Sequence, residues 1–95
     1  MKKRITKKMK EEFFYYLSRE KKKLEIVFEK VKVKKEGKKV FELANSYFKD
    51  MKYFFDKGEY MKVFELENYI WGILDTLANF NLLIIPKGIK KWFKV

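Results

Sequence analysis

Between Val40 and Phe55 the apolar residues fall at helical intervals. At about 100° per residue, Val40, Phe41, Leu43, Ala44, Tyr47, Phe48, Met51, Phe54 and Phe55 lie within an arc of about 160°. Glu42, Asn45, Lys49, Lys52 and Asp56 take the opposite face. A narrower stripe runs through Met9, Phe13, Tyr16, Leu17, Leu24, Val27, Phe28 and Val31. A third pattern is apolar over about 220°, from Tyr69 through Leu66, Leu77, Ile70, Val63, Leu74 and Tyr60 to Phe64. Gly37 and Gly58 separate the three patterns, where glycine ends a helix most easily. The spacing therefore predicts helices over about 6–35, 38–57 and 59–81. Val31-Lys32-Val33-Lys34 alternates with period two, but four residues that continue a long helical pattern are read as helix.

These elements predict an all-α fold: an antiparallel three-helix bundle running up, down and up, as one domain over residues 1–95. The link Asp56-Lys57-Gly58-Glu59 is short enough only for a tight turn into an antiparallel neighbour. Two neighbours need less than the third helix's apolar arc, so something else covers it. The short tail at 82–95 or a second subunit fills that role. Lys7, Lys8 and Lys10 sit near a helix start, where cations are unfavourable, which predicts fraying there.

Composition narrows the chemistry. There is no Cys and no His, which removes thiol nucleophiles, disulfides, imidazole catalysis and zinc sites of the usual kind. Abundant Lys and Glu without Cys, His or Gln fit a thermophile's cytosolic protein. The start MKKRITKKMKEEFFYYL opens like a secretory leader, but its apolar run Phe13–Leu17 is short and flanked by Glu11, Glu12 and Arg19. A cytoplasmic chain is expected, with no segment approaching the roughly 18 apolar residues of a membrane span.

The second and third patterns carry a resemblance. Ala44-x-x-Tyr47-x-x-Asp50, Tyr53-Phe54, Lys57-Gly58-Glu59-Tyr60, Phe64-Glu65, Tyr69, Gly72 and Leu74-Asp75 resemble an archaeal family, domain of unknown function 357. The family pattern runs A-x-x-Y-x-x-D-A-x-Y-F-x-x-K-G-D-Y and then A-F-E-x-x-x-Y-A-x-G-W-L-D-A. The likeness covers residues 40–78 without gaps. Met51 and Val63 replace alanines, Glu59 replaces aspartate, Trp71 precedes the glycine rather than following it, and Thr76 replaces alanine. The resemblance implies a compact three-helix bundle in an archaeal cytosol and implies no activity.

Three sets of polar residues are candidates for function. On the third helix, Gly72 projects to the centre of a polar face with Glu65, Asn68, Asp75, Thr76 and Asn79, nearly free of lysine. This is a candidate contact patch, where glycine lets the first helix or a second subunit approach. Asp50 projects toward Tyr69 or Asp75, and a carboxylate pair there could hold a cation, though a structural hydrogen bond is the plainer role. Glu20 and Glu67 project into apolar stripes and need partners; Tyr16, Tyr47, Tyr60 and nearby lysines are the candidates, in a role that fixes helix register.

The net charge of +11 is uneven: +10 over residues 1–39, −3 over 40–81 and +4 over 82–95. Arg19, Lys21, Lys22, Lys23 and Lys30 on the first helix form a candidate anion-binding set. Lysine rather than arginine dominates, which argues against base-specific readout. The tail alternates Ile89, Trp92 and Phe93 with lysines, as an interfacial membrane anchor does, but capping of the third helix accounts for it better. The residues predict a non-enzymatic module for protein–protein interaction or structure, with an unidentified partner or self-association. The alternative is nucleic-acid binding by the basic first helix. No catalytic, metal-binding or cofactor-binding residue is assigned.

Overall fold

The computed structural model describes residues 6–94; Met1–Ile5, which include the basic start of the chain, and Val95 lie outside the described residues. Three helices form: α1 (Lys7–Lys30), α2 (Lys38–Asp56) and α3 (Tyr60–Asn79). They are joined by a two-stranded antiparallel ladder of β1 (Lys32–Val33) and β2 (Leu83–Ile84), and a 3-10 helix over Lys87–Trp92 follows. The expected all-α bundle is present. No helix among the described residues is long and apolar enough to cross a membrane.

α1 begins because the Thr6 hydroxyl accepts a hydrogen bond from the Met9 amide at 3.1 Å, an N-cap that offsets the lysines of the first turn. It ends five residues before the position predicted. Val31 is extended (φ −81°, ψ 134°), and Lys32 and Val33 pair with Ile84 and Leu83. The Lys34 amide also donates to the Leu82 carbonyl at 2.8 Å. The Val-Lys alternation is thus a strand, not the last turn of a helix. β-branched residues favour the pleated form once a partner strand satisfies their backbone groups. That partner lies some fifty residues away in sequence.

The ends of α2 and α3 close alike. After α2, Gly58 turns to φ +75°; its amide donates to the Phe55 carbonyl and the Glu59 amide to the Phe54 carbonyl. After α3, Asn81 takes φ 60° and the Leu82 amide donates to the Leu77 carbonyl, a Schellman ending without glycine. Gly37 is not such a cap. It is buried at φ −101°, ahead of α2, and a Cβ there would lie 3.1 Å from both Leu77 Cδ2 and Val33 Cγ2. It serves close approach rather than an unusual φ.

The core is continuous from α1 (Leu17, Leu24, Val27) through α2 (Ala44, Phe48, Met51) and α3 (Val63, Ile70, Leu74, Leu77) to the tail (Leu83, Phe93). The tail covers part of the wide apolar arc of α3, as expected. Phe93 is buried and meets Trp71 edge-on, with ring centres 5.5 Å apart. Phe93→Ala is expected to destabilise the fold by about 3 kcal/mol, measured by denaturant unfolding. An unchanged midpoint would mean that the tail is not part of the core.

Candidate functional site

The two carboxylates that projected into apolar stripes meet at the α1–α3 contact. Tyr16 Oη donates to Glu67 Oε1 at 2.9 Å, and Trp71 Nε1 donates to Glu20 Oε1 at 3.0 Å. The acid comes from α3 in one bond and from α1 in the other. The two bonds are one turn apart on both helices, as parallel neighbours require. Glu20 Oε2 also receives Lys23 Nζ at 3.3 Å and Arg19 Nε at 3.5 Å. Of the candidate partners, Tyr16 serves. Tyr47 instead packs on Tyr69, and Tyr60 on Phe14 and Phe55. Trp71 was the partner missed. It stands one turn after Glu67, and a half-buried indole N–H seeks an acceptor.

Burial raises the Glu67 pKa, against the Tyr16 hydrogen bond, with the Glu20 charge adding to the rise. The Tyr16 phenol is pushed up to about 12, first by burial and then by its hydrogen bond to Glu67. Over these groups lies a polar cleft of about 330 Å³. Its walls are Tyr16, Glu20 and Lys23 of α1, Glu67, Trp71 and Asp75 of α3, and Trp92 and Lys94 of the tail.

The tail is pinned at the rim. Asp75 Oδ1 accepts the Lys94 amide at 3.0 Å, and Asn79 Nδ2 donates to the Lys94 carbonyl at 2.8 Å. Lys23 Nζ lies 5.7 Å from the centre of the Trp92 ring. Asp75 and Asn79 of the candidate patch therefore bind the protein's own tail. Asp50 is exposed and makes no hydrogen bond or ion pair among the described residues. No group of three or more possible metal-ligand side chains occurs among them either.

Gly72 and Asn68 form a ridge on α3. The polar cleft lies on one side, and on the other is an apolar groove of about 490 Å³ lined by Val40, Tyr69, Ile73, Thr76, Phe80 and Leu82, with Glu36 at its edge. The expected close approach of α1 at Gly72 does not occur: a Cβ there would meet no other part of the fold within 4 Å. α1 packs instead one turn back, through Tyr16 and Glu67. Glu65 stands apart, beside a shallow dent with Phe54, Lys62, Leu66 and Tyr69.

The five cations of the anion-binding set do not form one surface. Lys21 turns toward α2, 3.2 Å from Glu25 and 5.2 Å from the Phe55 ring centre, whereas Lys23 turns toward the tail. Arg19 is held by Glu20 and lies over the Tyr16 ring. Lys22 is exposed without an ion pair among the described residues, and Lys30 reaches Glu29 only at 3.9 Å.

A family described as "Protein of unknown function (DUF357)" matches residues 15–83, well over half of the chain. The chain belongs to this family. The match reaches beyond the likeness at 40–78, back into α1 to include Tyr16 and Glu20, and on to the first residue of β2. The rest of the tail lies outside it. No curated protein and no solved structure matches the chain.

Two substitutions probe the site. Gly72→Ala fills open space on a helix and is expected to stabilise by about 0.5–1 kcal/mol; a destabilised variant in thermal unfolding would reveal a contact at Gly72. The raised pKa of Glu67 means that the native state holds a proton the unfolded chain releases. Its contribution is thus present below the ordinary value of 4.5 and lost as pH rises through the native pKa. Glu67→Gln keeps an acceptor for Tyr16 and removes this loss. The stability of the variant relative to the parent should rise with pH above 4.5 in parallel denaturant titrations, and a flat difference would contradict the burial effect.

Proposed function

We propose that the protein is a non-enzymatic interaction module, and that the α2–α3 groove receives the same surface of a second copy. The observation that carries this is Phe80, 73% exposed at the mouth of the apolar groove, with Tyr69 and Val40 also open to solvent. Leu43, one turn from Val40 on the same edge of α2, extends the patch. Large apolar side chains gathered at a groove mark contact surfaces, whereas single exposed ones do not.

Charge selects the occupant. A chain of net charge +11 repels its own copies. The groove is where that repulsion is weakest: α3 carries one lysine, Lys62, which is paired with Glu59 at the far end, and the only charged residue lining the groove is Glu36. A two-fold contact sets Phe80 of each copy in the groove of the other. The open ridge at Gly72 lets the partner's backbone come close. The lack of His and Cys supports a non-enzymatic role, the cysteine-free, Lys- and Glu-rich composition supports a cytosolic setting in a thermophile, and the family resemblance supports an archaeal one.

Light scattering from micromolar to millimolar concentration is expected to show a monomer–dimer equilibrium. Phe80→Glu should abolish it and Gly72→Leu should weaken it, both with the helical circular dichroism intact. A parent chain that stays monomeric at millimolar concentration, or a Phe80→Glu dimer, would refute the assignment.

A further inference from the structure

We propose that the face built by the C-terminal end of α1, β1 and the tail binds the phosphodiester backbone of a nucleic acid. The later lysines of the basic stretch 1–39 meet the basic tail 82–95 here, which carries +4. Lys32 stands opposite Ile84 in the ladder, and the tail then runs back along α1 until Trp92 reaches Lys23. Lys30, one heptad after Lys23, lies on the same flank of α1. The chain from Leu82 onward has no acidic residue.

Lys30, Lys32, Lys34, Lys87, Lys90 and Lys91 are all exposed. Only Lys30 has an acid within 4 Å among the described residues, and that is the longest ion pair recorded, at 3.9 Å. These cations are spread along an edge instead of converging on a pocket. They suit a linear polyanion, which gains by counterion release at each phosphate contacted, better than one isolated phosphate.

The same geometry favours nucleic acid over an anionic membrane. Most of the apolar side chains that would enter a bilayer are turned into the bundle: Phe93 is 6% exposed and Ile89 and Trp92 are half-buried, which leaves Ile84, 56% exposed, as the one large apolar side chain open in the tail among the described residues. With no exposed aromatic ring in the tail for base stacking and no arginine there, contact is with phosphates and independent of base sequence. None of these six lysines lines the α2–α3 groove, and the proposal does not rest on the self-association proposed there.

The test is fluorescence anisotropy with a labelled single-stranded RNA and a duplex DNA, beside vesicles containing phosphatidylserine. Four or five phosphate contacts predict an affinity for the duplex that falls several hundred-fold from 50 to 200 mM salt, with a log–log slope near ~−4. The change Lys87→Gln, Lys90→Gln and Lys91→Gln together should lower affinity at 50 mM salt by about tenfold or more and reduce the slope by about 2–3. Lys7→Gln, Lys8→Gln and Lys10→Gln remove the same charge from the opposite end of α1 and should leave affinity within about threefold, if location and not net charge decides. All six positions are exposed, so both variants keep the fold. Absence of binding at 50 mM salt, equal weakening by the two triple variants, or tighter binding to vesicles than to either oligonucleotide would each overturn the assignment.

Discussion

Two buried carboxylates set the register of this bundle. Glu20 and Glu67 are almost wholly withdrawn from water at the α1–α3 contact, and each is reached by one donor from the facing helix. Tyr16 and Glu20 are one turn apart on α1, as are Glu67 and Trp71 on α3, so both bonds form in the same alignment. A slip by one turn breaks both: Glu67 is left without its donor, at a cost on the order of a few kcal/mol, and Glu20 keeps only Lys23 and Arg19 of its own helix. Among the described residues no buried side-chain nitrogen or oxygen is left unpaired. An apolar seam alone tolerates neighbouring registers; this one does not.

The position of the tail follows from that alignment. Trp71, held by Glu20, presents its ring to Phe93, and Lys23, held by the same carboxylate, lies over Trp92. The Lys94 amide and carbonyl then meet Asp75 and Asn79. One network thus orients α1, α3 and the end of the chain, and closes the polar side of the Gly72 ridge. The apolar side has no such closure, and Phe80 stands open there. The two sides differ in their physics: one is apolar with a single charged residue, Glu36, in its lining, and the other is polar, with Glu20 paired to Lys23.

Much of the fold was legible in one dimension because its causes are local. Period 3.6 marks α2 and α3, Gly58 marks the turn between them, and the excess apolar arc of α3 announced a cover that the tail partly supplies. The need of Glu20 and Glu67 for partners was legible too, since burial of a carboxylate makes the same demand wherever it occurs. β1 was not: its two residues are a strand only because Leu83 and Ile84 lie beside them. Trp71 as donor to Glu20 and the separation of Lys21 from Lys23 were hidden for the same reason, each depending on which neighbour lies on which side of a helix.

The sequence by itself determined the three helical segments, the charge asymmetry and the family, because each rests on periodicity, composition or a run of neighbouring residues. Only the tertiary structure decided what those residues face. Gly72 borders open space rather than α1, Asp75 and Asn79 hold the tail, and Lys32 and Val33 come to lie beside Ile84 and Leu83 at the start of the basic tail. Such pairings join positions from fifteen to fifty-two residues apart. The backbone path between them is set by the packing of the whole core, and no local pattern encodes it.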